Sequence, residues 1–92
     1  MRVVFVNGRF VRESEAAVSI FDRGFTMGDG VYEVTSVMQG RMLEFDAHMA
    51  RLMRSLNEVG MVLDMSGTRL KEIHEELISL NKLDDGLVYL QV

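Results

Sequence analysis

The feature that most constrains this chain is a change of hydrophobic period near its middle. From Val31 to Met38 the side chains alternate: Tyr32, Val34, Ser36 and Met38 fall on one face, and Val31, Glu33, Thr35 and Val37 on the other. A few residues later Met49, Leu52, Met53 and Leu56 recur at helical spacing, and Leu70, Ile73, Leu77 and Leu80 repeat the pattern. Strands and then helices in so short a chain predict an α+β fold, a mainly antiparallel sheet with two helices on one side.

Local signals set the order. Val3 to Val6 is apolar, Asn7-Gly8 follows, and Arg9, Phe10 and Val11 return, which reads as a hairpin because both turn positions need positive φ. Glu13 to Ala17 reads as irregular and Val18 to Phe21 as a short strand. Asp22 to Gly30 holds three glycines without periodicity and is expected to be a loop. Gln39-Gly40 predicts a turn, with Arg41 to Phe45 returning as the hairpin partner. Asp46 is expected to cap the first helix and Gly60 to end it. The second helix is expected from about Gly67 to Asn81, capped by Ser66 or Thr68. Asp84-Asp85-Gly86 predicts a turn, and Leu87 to Val92 the last strand. No turn, cap or polar tail follows Val92, so the native protein is expected to continue.

Composition narrows the chemistry. The net charge is −4 with no basic stripe, which argues against nucleic-acid binding. There is no cysteine, so thiolate metal sites, disulfides and a cysteine nucleophile are excluded. The apolar run after Arg2 is too short for a signal-peptide core or a membrane span, and a cytoplasmic location is expected. Glu44, Asp46 and His48 cross a strand-to-helix junction and are not expected to bind metal. The glycine loop matches neither the dinucleotide nor the Walker pattern. Periodicity and composition reach a soluble α+β domain and stop there.

A further step comes from one block of residues. The run DRGFTMGDGVYEV (Asp22 to Val34) is followed by Phe45-Asp46, His48, Arg51-Leu52 and Ser55-Leu56. With VNGRFV (Val6 to Val11) near the start and GLVYLQV (Gly86 to Val92) at the end, the chain resembles the fold type IV pyridoxal-phosphate-dependent aminotransferases over essentially its whole length. GDGVYEV and YLQV are most similar to the D-amino-acid aminotransferases. Branched-chain aminotransferases, aminodeoxychorismate lyases and a non-catalytic isolated domain are the alternatives.

The resemblance implies an amino-terminal small domain spanning residues 1–92, pyridoxal 5'-phosphate as cofactor, an amino acid and a 2-oxo acid as substrates, and a homodimer. It matches Arg51 to the arginine that holds the cofactor phosphate. A guanidinium suits that task, being planar and permanently charged; a solvated helix residue is the other reading. It matches Tyr32 to a tyrosine on the substrate side of the cofactor, with Val34 on the same strand face, and core packing is the alternative for both. Asp22, Gly24, Gly28, Asp29 and Gly30 are read as structural. Glu33 faces the other way by alternation and is assigned no chemistry. The family's cofactor-bonding lysine lies in a larger carboxy-terminal domain. Lys71 and Lys82, the two lysines here, match no such motif and read as solvated. The chain alone is therefore expected to be inactive.

Overall fold

The computed structural model describes residues 1–92. Strands β1 (Val3–Val6) and β2 (Arg9–Arg12) form an antiparallel hairpin. Its turn places Asn7 and Gly8 at φ of 48° and 89°, as the Asn-Gly signal requires. A one-turn helix α1 (Arg23–Thr26) precedes β3 (Tyr32–Met38), β4 (Arg41–Met42), the long helices α2 (Phe45–Val59) and α3 (Gly67–Leu80), and β5 (Gly86–Gln91). The second sheet has the order β4-β3-β5, with both pairings antiparallel. The α+β expectation holds, with two small antiparallel sheets in place of one.

Alternation in β3 sorts its residues as the sequence indicates. Glu33, Thr35 and Val37 are buried, while Tyr32, Ser36 and Met38 are exposed. The buried face joins two apolar clusters. Val31, Phe45, Met49, Leu52, Leu56 and Leu70 form the larger, and Val37, Ile78 and Val88 the smaller. Leu52 is fully enclosed. Gly60 ends α2 in the left-handed conformation, φ 73°, while Met61 donates to the carbonyl of Leu56. Ser66 caps α3 through its hydroxyl, which accepts from the Arg69 amide; Thr68 plays no such part. Asn81 ties the hairpin to α3: its Oδ1 accepts from the Val3 amide, and its Nδ2 donates to the carbonyls of Val3 and Leu77.

Five local expectations are corrected. Val18 to Phe21 is not a strand. The Ser19 hydroxyl accepts from the Phe21 amide and its carbonyl from the Asp22 amide, so the backbone closes into a turn in place of a ladder. Within Asp22 to Gly30, the Asp22 carboxylate caps a helical turn by accepting from the Gly24 amide. Strand β4 stops at Met42, because Glu44 turns left-handed at φ 57° and Phe45 begins α2 in the core. Glu44, not Asp46, holds the α2 cap position, and Asp46 lies in the first turn, where the helix dipole favours an acid. On α3 the buried stripe is Leu70, Ile73, His74 and Ile78, which leaves Leu77 half-buried and Leu80 exposed. The His74 ring occupies the stripe position, packed edge-on to Phe45 at 5.1 Å with Nδ1 bonded to the Leu70 carbonyl.

These assignments separate two leucines. Leu52→Ala is expected to cost about 2–5 kcal/mol through lost burial and a residual cavity. Leu80→Ala should stay within about 0.5 kcal/mol, as for an ordinary surface change. Urea denaturation of both variants beside wild type measures the difference as a shift in midpoint.

Candidate functional site

The site begins with an acid on the wrong side of a strand. Glu33 follows Tyr32, so its side chain points to the opposite, helix-covered face, where it is only 5% exposed. A lone carboxylate is costly there, because burial strips its hydration. Helix α2 supplies the compensation. His48 and Arg51 are three residues apart and so share one side of the helix. The His48 Nδ1 lies 2.7 Å from Glu33 Oε1. Arg51 donates from Nε to Oε2 and from Nη2 to Oε1, both at 2.8 Å. Beside a carboxylate, the His48 Nδ1 carries the hydrogen and donates it.

The electrostatics follow from this geometry. The bond from Arg51 outweighs burial, and with help from His48 it holds the Glu33 carboxyl at about 2, down from an ordinary 4.5. The same bond and the charge of Glu33 raise the proton affinity of Arg51, against a smaller opposing effect of burial. Glu33 occupies only one edge of the guanidinium. The Arg51 side chain remains 58% exposed, and its Nη1 has no partner within the chain. What results is an arginine fixed at one edge and open at its end, a form suited to an anion.

Tyr32 and Val34 lie on the other face of the sheet. The register sets Val34 opposite Tyr89 and Ser36 opposite Leu87, so those four residues share the outer surface with Tyr32. The Tyr32 and Tyr89 rings stack with centroids 5.7 Å apart. Tyr89 donates to Gln91 at 2.6 Å, while the Tyr32 hydroxyl makes no hydrogen bond within the chain. Tyr32, Leu87 and Tyr89 are all more than half exposed. The structure thus brings Tyr32 and Val34 together and sets Arg51 behind the sheet.

The glycine loop braces one end of this arrangement. Asp29 accepts from Arg23 Nε at 2.6 Å across the loop. A Cβ on Gly30 would meet Gln91 Nε2 at 3.0 Å and the Val92 carbonyl at 3.2 Å, so a side chain there would push the loop off β5. Lys71 and Lys82 are exposed. Lys71 lies beside Arg41, Asp46 and Glu75 in a polar recess that includes neither Arg51 nor Tyr32. No three metal-ligating side chains converge anywhere in the chain, and no helix is long and apolar enough to cross a membrane.

Glu33 is the residue that sequence reasoning passed over. The signal was available. An acid on the buried face of a strand needs a cation, and two candidates stand three residues apart on the next helix.

Comparison with known proteins follows the same lines. Residues 30–92 match the family model of class IV amino-transferases. The chain is similar to the D-alanine aminotransferase of Bacillus licheniformis, 47% identical over the whole chain and 32% of the relative. It is similar also to that of Staphylococcus aureus, 41% identical over 99% of the chain and 32% of the relative. The chain spans about a third of the length of these curated relatives. Among solved structures it superposes on the T.th. branched-chain amino acid aminotransferase complexed with N-(5'-phosphopyridoxyl)-L-glutamate. The TM-score is 0.91 and the identity 19%, covering 98% of this chain and 32% of that one, a likeness of fold.

The paired carboxylate sets an acid response. The unfolded chain takes up a proton at Glu33 near pH 4.5, whereas the folded chain resists until about 2. The stability from this pair is therefore complete above pH 4.5 and is lost as pH falls toward 2. Urea midpoints of wild type and Glu33→Gln, measured from about pH 7 to about pH 3, should converge as the pH drops. Parallel curves would contradict the pairing.

Proposed function

The chain belongs to the class IV amino-transferase family, and on that premise we propose that it is the amino-terminal small domain of a pyridoxal-phosphate-dependent transaminase. Its substrates are a D-amino acid, D-alanine among them, and a 2-oxo acid. The relatives named D-alanine aminotransferase support this reading, as does their threefold greater length. The larger carboxy-terminal domain carries the lysine that bonds the cofactor, consistent with the exposed placing of Lys71 and Lys82. The working enzyme is a cytoplasmic homodimer. The exposed Val18, Ile20, Phe21, Phe25 and Met27 give it apolar surface to cover.

The residues present fit a phosphate ester. Arg51 is the observation that carries the reading: its Nε–Nη2 edge is taken by Glu33, while Nη1 is unpartnered and the side chain stands open to solvent. A phosphate oxygen accepts from that free end. When bound, pyridoxal phosphate supplies the electron sink that labilises the α-hydrogen of the amino acid. The protein's part is to bind, orient and exclude water. Arg51 binds the phosphate. Tyr32, whose hydroxyl is unpaired, donates to the substrate carboxylate, and its ring is backed by Tyr89. Val34 gives the same face an apolar floor. Orientation of this kind supplies a large part of catalysis when reacting groups are held in register.

The two assignments come apart in a cofactor titration of the enzyme that carries this chain. Arg51→Ala should weaken pyridoxal phosphate binding by about ten- to a hundredfold and slow the saturated enzyme far less. Arg51→Lys should recover only part of the affinity, since an ammonium lacks the planar fork. Tyr32→Phe should bind cofactor almost as wild type does and lose in substrate kinetics. Wild-type cofactor affinity in Arg51→Ala would remove Arg51 from the site.

A further inference from the structure

The phosphate reading leaves unexplained why a buried acid should hold the very arginine that must attract an anion. Glu33 cancels the charge of Arg51. A clamp working by net charge alone would be better without it. Geometry supplies the reason. Arg51 projects from the open side of α2, and a long side chain in that position moves among many rotamers. Two bonds of 2.8 Å from adjacent guanidinium nitrogens to the two oxygens of one carboxylate fix both the plane and the direction of the group. The carboxylate is itself fixed. It is carried on the central strand of its sheet and buried to 5% exposure, and its Oε1 takes a further bond from His48 at 2.7 Å. The partner is therefore more rigid than the arginine it holds, and Nη1 is left directed away from the pair without a partner in the chain.

We propose that Glu33 is a positioning residue for the phosphate-binding arginine: its buried carboxylate, braced by His48, grips the Nε–Nη2 edge of Arg51 and presents the Nη1 end to the phosphate. This rests on the phosphate role of Arg51 given above. It predicts a sign that a charge argument reverses. Glu33→Gln keeps the shape, removes a negative charge and puts an amide NH2 where one arginine donor needs an acceptor. Charge alone would tighten phosphate binding in this variant; loss of the grip loosens it.

The test uses the enzyme that carries this chain and two probes, pyridoxal phosphate and pyridoxal, which lacks the phosphate. Glu33→Gln should weaken pyridoxal phosphate binding about tenfold and leave pyridoxal binding nearly unchanged. In an Arg51→Ala background the same change should have no further effect on affinity, since Glu33 acts through Arg51. A general loosening of the fold would weaken both probes and add to Arg51→Ala. If Glu33→Gln does not fold, Glu33→Asp retains the charge but withdraws the carboxylate by one methylene, and it should show the same selective loss for the phosphorylated probe. Unchanged or tighter pyridoxal phosphate binding, equal loss for both probes, or an additive double variant overturns the proposal. If Arg51→Ala itself binds pyridoxal phosphate normally, the phosphate reading falls and this proposal with it. If Arg51→Ala is weakened and the Glu33 variants are not, only the role of Glu33 falls.

Discussion

The buried carboxylate of Glu33 is the constraint around which this chain is arranged. It stands on the central strand of its sheet, on the face covered by helix, and there an unpaired charge is not tolerated. Helix α2 has to present a cation at that height and orientation, and it presents two polar partners, His48 and Arg51. The helix is thereby fixed in rotation and in register against β3. The apolar residues Met49, Leu52 and Leu56 then fall onto the core, with Phe45 closing its start. Apolar packing alone tolerates small slides of a helix over a sheet; a bidentate ion pair does not. One local interaction thus links the pleat of β3, the seating of α2 and the direction of the guanidinium.

The sheet between these elements divides the labour. One face is filled by the helices and by Glu33. The other carries Tyr32, Leu87 and Tyr89, open to solvent, with half-buried Val34 adjacent by register. Because the period of a strand is two, neighbouring residues of β3 can serve two surfaces: Tyr32 reaches one and Glu33 the other. The glycine loop ahead of β3 lies close against Gln91 and Val92 at the end of β5, which fixes where the outer face begins. The outer face suits an organic substrate, and the end of Arg51 suits an anion.

Much of this was legible in the residues. The hairpin at Asn7-Gly8, the alternation in β3, the Gly60 terminus and the Ser66 cap each follow from local chemistry, which a short stretch of sequence states directly. What was not legible depended on partners distant in the chain. Val18 to Phe21 has strand composition but no ladder to join, and Ser19 closes it into a turn. Arg41 to Phe45 looks extended until the core claims Phe45. His74 sits where an apolar residue is expected on α3, because Phe45 and the Leu70 carbonyl accommodate it. In the candidate site, Arg51, Tyr32 and Val34 are expected from resemblance, and alternation correctly sent Glu33 to the opposite face. That this face is where Arg51 arrives is a fact of tertiary packing, so Glu33 was set aside.

The central claim is that Arg51 is held, not merely near, and the most direct measurement is the Nε–H resonance of its guanidinium. In the wild-type protein at neutral pH, Arg51 is predicted to give a separate, slowly exchanging Nε–H signal, identified by its loss in Arg51→Lys. In Glu33→Gln it should merge with the signals of the exposed arginines. A fast-exchanging Arg51 signal in the wild type, or one indifferent to Glu33→Gln, would contradict the account.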